Sequence, residues 1–113
     1  MCPEAILESA LYAEDLGAAE AFYTGVMGLE VLAKLPGRHV FFRVGAGVLL
    51  IFDPRATETV HPGARLPVPP HGARGPGHLC FAATRDEIAR WRARLAAAGI
   101  AIEAEFDWPN GAR

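Results

Sequence analysis

Glu8 and His78 are the side chains of this 113-residue sequence whose placement most invites chemistry. Glu8 stands in an apolar run, ILESALYA, where an unpaired buried carboxylate is costly. Side chains alternate along a strand, so Glu8, Ala10 and Tyr12 share one face, with Leu7, Ser9, Leu11 and Ala13 on the other. Neither face is plainly polar, so a solvent-facing Glu8 competes with a functional one. His78 follows Gly-Pro-Gly and opens a second apolar run, HLCFAA. Alone, a histidine there is ordinarily structural or solvated. Brought together, an imidazole and a carboxylate bind a metal or share a proton.

The weaker candidates are substrate-binding ones. His71, and less so His61, lie in a long loop that can reach over a site, and loop residues on a rigid scaffold often touch ligand. His39 opens a strand and has a solvent-facing alternative. Arg43 and Arg74 suit an anionic substrate, though solvated arginine is the commoner case. Cys80, two residues after His78, shares its strand face, but a small buried hydrophobe is the plainer account. Phe22 and Trp91 sit at helical core spacing. Phe41, Phe42, Phe52, Phe81 and Phe106 pack a sheet or line an apolar pocket.

The elements that must hold these residues read clearly. Residues 6–13 form a strand. Asp15 then offers an N-cap, and Leu16, Ala19, Phe22 or Tyr23, and Val26 follow at helical spacing up to Gly28. LEVLAKL alternates as a strand, Pro36-Gly37 turns the chain, and His39–Val44 and Val48–Phe52 form two strands around a tight Gly45-Ala46-Gly47 hairpin. Residues 54–77 are rich in Pro, Gly and Arg, lack periodicity, and read as a linker that also folds over a site. HLCFAA resumes as a strand. Thr84 and Glu87 make a capping box for a helix with Ile88, Trp91, Leu95 and Ala98 on its apolar face. Gly99 ends that helix, and IAIEAEF alternates as a last strand.

The two halves repeat one order of elements. Strand, capped helix, glycine and alternating strand run from Glu8 to Leu35 and again from His78 to Phe106. Glu8 falls opposite His78, Gly28 opposite Gly99, and GLEVLAKL over GIAIEAEF. The first unit is β-α-β-β-β and ends near Asp53. The second reaches only β-α-β before Arg113, so two strands are expected to be missing or supplied by a partner chain. An uncovered sheet edge is a liability.

Composition narrows the function classes. The chain is 51% hydrophobic and 21% charged, so it folds as one globular domain. The net charge of −2 and scattered basic residues argue against nucleic acid as a partner. No apolar stretch of about 20 residues exists, so no membrane span is expected. The start, MCPEAILES, lacks a secretory pattern, and Cys2 and Cys80 make no disulfide framework, which together point to a cytoplasmic setting. Lys34 is the only lysine among many arginines, which suggests a bacterial source. There is no P-loop, G-x-S-x-G, C-x-x-C or dinucleotide fingerprint.

Paired β-α-β-β-β units joined by a Pro/Gly-rich linker resemble the vicinal oxygen chelate superfamily, the glyoxalase/bleomycin resistance/dioxygenase family. ILESALYAEDLGAAEAFYTGVMGLEV, GRHVFFRVGAGVLLIFDP and GPGHLCFAA carry the likeness, and DL-x-x-A-x-x-FY-x-x-x-x-GLEV is its most specific stretch. The resemblance implies an α+β fold: two βαβββ-type modules forming a cupped mixed sheet, the second stopping after βαβ. One domain spans 1–113, with module one at 5–53, the linker at 54–77 and module two at 78–113. It implies a divalent metal (Mn, Mg, Zn or Ni) held by Glu8 and His78, which occupy the first-strand ligand positions of the two modules. VLLIF has only apolar side chains and donates nothing, and a third ligand is expected beyond Arg113. This oxygen-rich set suits iron-dependent ring cleavage poorly.

Two functions compete. The first is a small metal-dependent enzyme that chelates an oxygen-bearing substrate for lyase, isomerase or group-transfer chemistry, with Glu8 also serving as proton-transfer base. The second is a metal-free binder of the bleomycin-resistance type, with Glu8 a charged lining residue. Either implies a small-molecule ligand and a homodimer.

Overall fold

The computed structural model describes residues 1–109, and the chain divides into two compact units, Met1–Leu79 and Cys80–Arg113. In the first unit, β1 (Glu8–Tyr12) leads to α1 (Leu16–Ala21), whose N-terminus is capped where the Asp15 carboxylate accepts from the Ala18 amide at 2.9 Å. The helix continues as a π-helical turn over Phe22–Val26. There the Thr24 hydroxyl donates to the Glu20 carbonyl at 2.7 Å, the partner its own amide would take, and the Met27 amide reaches back to Phe22 O. The spacing of Leu16 to Val26 foresees the helix but not this change of register. Gly28 follows at a φ of 74°, a left-handed conformation suited to glycine.

β2 (Glu30–Leu35), β3 (His39–Val44) and β4 (Gly47–Phe52) complete a four-stranded mixed sheet of order β1-β4-β3-β2. β1 runs parallel to β4, and the other pairs are antiparallel. The β3–β4 turn pairs Val44 with Gly47 and places Gly45 at a φ of 56°, as a glycine-first two-residue hairpin requires. A bulge between Val31 and Ala33 leaves Leu32 unpaired.

Alternation along the central strands divides the sheet into two faces. Val40, Phe42, Leu49 and Ile51 are almost fully buried on one face, where Tyr23 packs its ring 5.4 Å from that of Phe42. Burial pushes the Tyr23 hydroxyl above its ordinary pKa. Register puts Glu8, Ala10 and Tyr12 beside Val48, Leu50 and Phe52, and these beside Arg43, Phe41 and His39, on the other face.

Residues 54–77 are not a featureless linker. They begin with a short helix, α2 (Pro54–Thr57), whose Pro54 and Thr57 are buried. Asp53 caps it by accepting from the Arg55 amide, and its two oxygens also take the Arg55 side chain at 3.0 and 2.8 Å. That pair holds the Asp53 carboxyl below its usual range. Arg55 reaches the Glu14 carbonyl, and Arg74 pairs with Glu58 at 2.9 Å. The segment is therefore a strap fastened to its own unit.

The second unit holds α3 (Arg85–Ala97), with the expected capping box: Glu87 N donates to Thr84 Oγ1 at 3.2 Å, and Thr84 N to Glu87 Oε1 at 3.0 Å. Arg92 pairs with Glu105. The strands expected at HLCFAA and IAIEAEF are not formed among the described residues. In the first unit β1 pairs only with β4 and β2 only with β3, so β1 and β2 never touch as a ladder. Their counterparts, residues 78–83 and 100–106, lack the two intervening strands among the described residues, and a strand without a ladder neighbour is not stable. Among the described residues, no helix is long and apolar enough to cross a membrane.

Candidate functional site

One sheet face of the first unit is open and concave. It lines a hollow of about 700 Å³ formed by Glu8, Ala10, Tyr12, Leu32, Arg38, Phe41, Val48, Leu50, Phe52, Val68 and His71. Its floor is apolar. Its polar groups gather at two ends, because Glu8 and Tyr12 lie four residues apart on one strand, about 13 Å by strand rise.

The Glu8 end carries a single exposed carboxylate. The other end is basic and aromatic. The Tyr12 hydroxyl and His71 Nδ1 share a 2.8 Å hydrogen bond, and the His71 ring meets Phe52 edge-on at 4.6 Å. With the phenol donating, the imidazole proton sits on Nε2, which has no protein partner among the described residues. The His71 amide donates to Thr57 O at 2.9 Å, so the strap itself delivers this ring to the sheet. Arg38 donates to His39 Nδ1 at 2.7 Å and lies 5.5 Å from the Phe52 ring centre. His39 stacks on Phe41 at 4.1 Å. Burial first, and the Arg38 charge second, hold the His39 imidazole below its ordinary pKa, so it favours the neutral form.

A second hollow, of about 490 Å³, opens under the strap between Ala56 and His71 and shares Arg38 and His71 with the first. The Thr57 hydroxyl on its wall is buried without a hydrogen-bond partner among the described residues, which ordinarily costs about 1–3 kcal/mol.

The structure brings some sequence candidates together and not others. Glu8 and His71 line the larger hollow, and His61 the strap hollow. His78 is exposed and lines neither among the described residues, and Arg43 is exposed beside Val48. Cys80 is exposed in the second unit. Tyr12 and Arg38 were not singled out by sequence. Tyr12 shares the face of Glu8, which was a usable signal; Arg38 gave none.

A divalent cation needs four or more donors, with one position open in a catalytic site. Among the described residues no three His, Cys, Asp or Glu side chains cluster to hold one, and Glu8 and the Tyr12–His71 pair stand at opposite ends of the hollow. The described residues therefore do not make a metal centre by themselves.

The model of the glyoxalase/bleomycin resistance protein/dioxygenase superfamily matches residues 5–112. The chain belongs to that superfamily. The open sheet face is thus the cup of a glyoxalase-fold module, as the α+β expectation required. A lactoylglutathione lyase from Agrobacterium tumefaciens is similar over 96% of this chain and 81% of its own, with 50% identity and a TM-score of 0.89. A glyoxalase/bleomycin resistance protein/dioxygenase from Nocardioides shares 23% identity over 96% of this chain and 72% of its own, at a TM-score of 0.67. The fosfomycin resistance protein FosX from Listeria monocytogenes shares 18% identity over 97% and 77%, at a TM-score of 0.65. These last two likenesses concern the glyoxalase fold alone. Comparison with curated protein sequences gives no match.

Proposed function

We propose that this chain is a lyase-type enzyme that holds a small oxygen-bearing substrate in the cup, with Glu8 as its proton-transfer base. The observation that carries this is the hollow itself: an apolar floor of Ala10, Phe41, Val48 and Leu50 with one carboxylate at one end and donors at the other. The 50% identity to a lactoylglutathione lyase supports the reaction class and makes lactoylglutathione the first substrate to try.

The chain's own residues divide the work. The apolar floor packs against the apolar part of what binds and leaves its oxygens to the polar ends. Glu8 accepts a proton from a substrate carbon or hydroxyl placed within hydrogen-bond reach. Tyr12 orients His71, whose Nε2–H donates to a substrate oxygen.

A divalent metal (Mn, Mg, Zn or Ni) on Glu8 and His78 belongs to the same proposal, with its remaining donors outside the described residues. So does assembly as a homodimer. Elemental analysis and light scattering test these two points.

The deciding experiment is the interconversion of lactoylglutathione with glutathione and methylglyoxal, started from either side and followed at the thioester absorbance, by wild type and Glu8→Gln at matched metal content. The expected result is turnover that falls about 10²–10⁴-fold in Glu8→Gln, the range for loss of a general base. Equal turnover by both would overturn the role of Glu8, and no turnover by wild type would overturn the substrate. A metal-free binder is favoured by the Phe41 and Phe52 rings, which meet edge-on at 5.4 Å in the hollow. Thermal stabilisation by bulky aromatic ligands, with none by divalent metal, would select it.

A further inference from the structure

The hollow under the strap has a character of its own. It lies among Arg38, Thr57, His61, Leu66, Val68 and His71, and no acidic residue lines it among those described. Arg38 is half-buried and has no carboxylate partner among the described residues; its contacts are the neutral-favouring His39 ring and the face of Phe52. A partly desolvated cation without a counter-ion attracts an anion more strongly than a solvated one does. With the Tyr12 phenol donating to Nδ1, His71 Nε2 adds a donor without a protein partner among the described residues. The Thr57 hydroxyl is buried on the wall, and its residue is 3% exposed. His61 uses Nε2 to reach the Ala56 carbonyl at 2.8 Å, so when neutral it leaves Nδ1 as an acceptor, and when protonated it becomes a further donor. A volume of about 490 Å³ is within the range of small-molecule sites.

We propose that this strap hollow is an oxyanion subsite, in which Arg38 and His71 take a carboxylate or phosphate group of a small ligand. Since the same two residues line the cup, one molecule can lie across both spaces, its anionic end under the strap and the rest directed toward Glu8. This placement rests on the cup being the reaction site; the anion site does not.

The test is a titration of the full chain with sodium phosphate and, separately, with sodium acetate, against sodium chloride at the same ionic strength, followed by amide NMR shifts. The expected result is saturable shifts at Arg38, Thr57, His61 and His71 with at least one oxyanion and none with chloride, and the stronger probe distinguishes phosphate from carboxylate. Arg38→Gln is expected to weaken that binding about ten- to a hundredfold, the loss usual for a hydrogen bond to a charged group. Glu8→Gln, at the far end of the cup, is expected to bind the anion as wild type does, so failure of the catalytic proposal leaves this one standing. The proposal is overturned if neither oxyanion gives saturable shifts, if shifts fall elsewhere, or if a folded Arg38→Gln binds equally well. Should Arg38→Gln fail to fold, the wild-type shift map decides alone.

Discussion

The Tyr12 hydroxyl lies 2.8 Å from His71 Nδ1, tying the end of the first strand to a strap residue far along the chain. One bond therefore closes the strap over the aromatic end of the cup. Removing either partner leaves the other half-buried and unpaired. Tyr12→Phe and His71→Ala are each expected to destabilise the first unit, and the double variant by less than their sum. The coupling should be about 0.5–1.5 kcal/mol, the net worth of such a bond. Urea unfolding of the four proteins measures it, and strict additivity would show that the bond contributes nothing.

Phe42 is 0% exposed between the sheet and the Tyr23 ring. Phe42→Ala removes a ring that the helix cannot follow inward. The expected loss is about 3–5 kcal/mol, a large share of a small domain's stability. Phe42→Leu should lose less, because it refills part of the space. The urea midpoints of both variants check the order.

Burial, and after it the Arg38 charge, lower the His39 pKa. Its folded pKa lies below its unfolded value of about 6.5, so the stability it contributes is present above that pH and is lost as pH falls through the lowered folded value. Melting temperature should therefore drop on acidification from about pH 7 to 5 more steeply in wild type than in His39→Gln. Parallel curves would mean that His39 does not carry the effect.

Asp53 both caps α2 and binds the Arg55 side chain. Asp53→Asn keeps an acceptor for the Arg55 amide but loses the charge, whereas Asp53→Ala loses both. Limited proteolysis within residues 58–70 should quicken in the order wild type, Asn, Ala. The lowered carboxyl pKa means that the Asp53 contribution is present above its unfolded value of about 3.9 and disappears as pH falls through the folded one. Only wild type should show that acid-dependent loosening.

Local chemistry made much of this protein legible. The Asp15 cap, the Thr84–Glu87 box and the hairpin led by Gly45 act over two to four residues, so their residue types are sufficient. Period-two alternation put Glu8, Ala10 and Tyr12 on one face, and β3 and β4 sorted their buried residues the same way. The DL-to-GLEV stretch carried the family. What only the tertiary structure decided depends on groups far apart in sequence. The parallel pairing of β1 with β4 makes Glu8 and Tyr12 two ends of one hollow. The strap places His71 on Tyr12, and the β2–β3 turn leaves Arg38 between two cavities, neither of which composition encodes. The apolar run HLCFAA and the alternating run IAIEAEF had the strand pattern without the strands among the described residues, because a hydrophobic pattern selects a face while a ladder requires a neighbour.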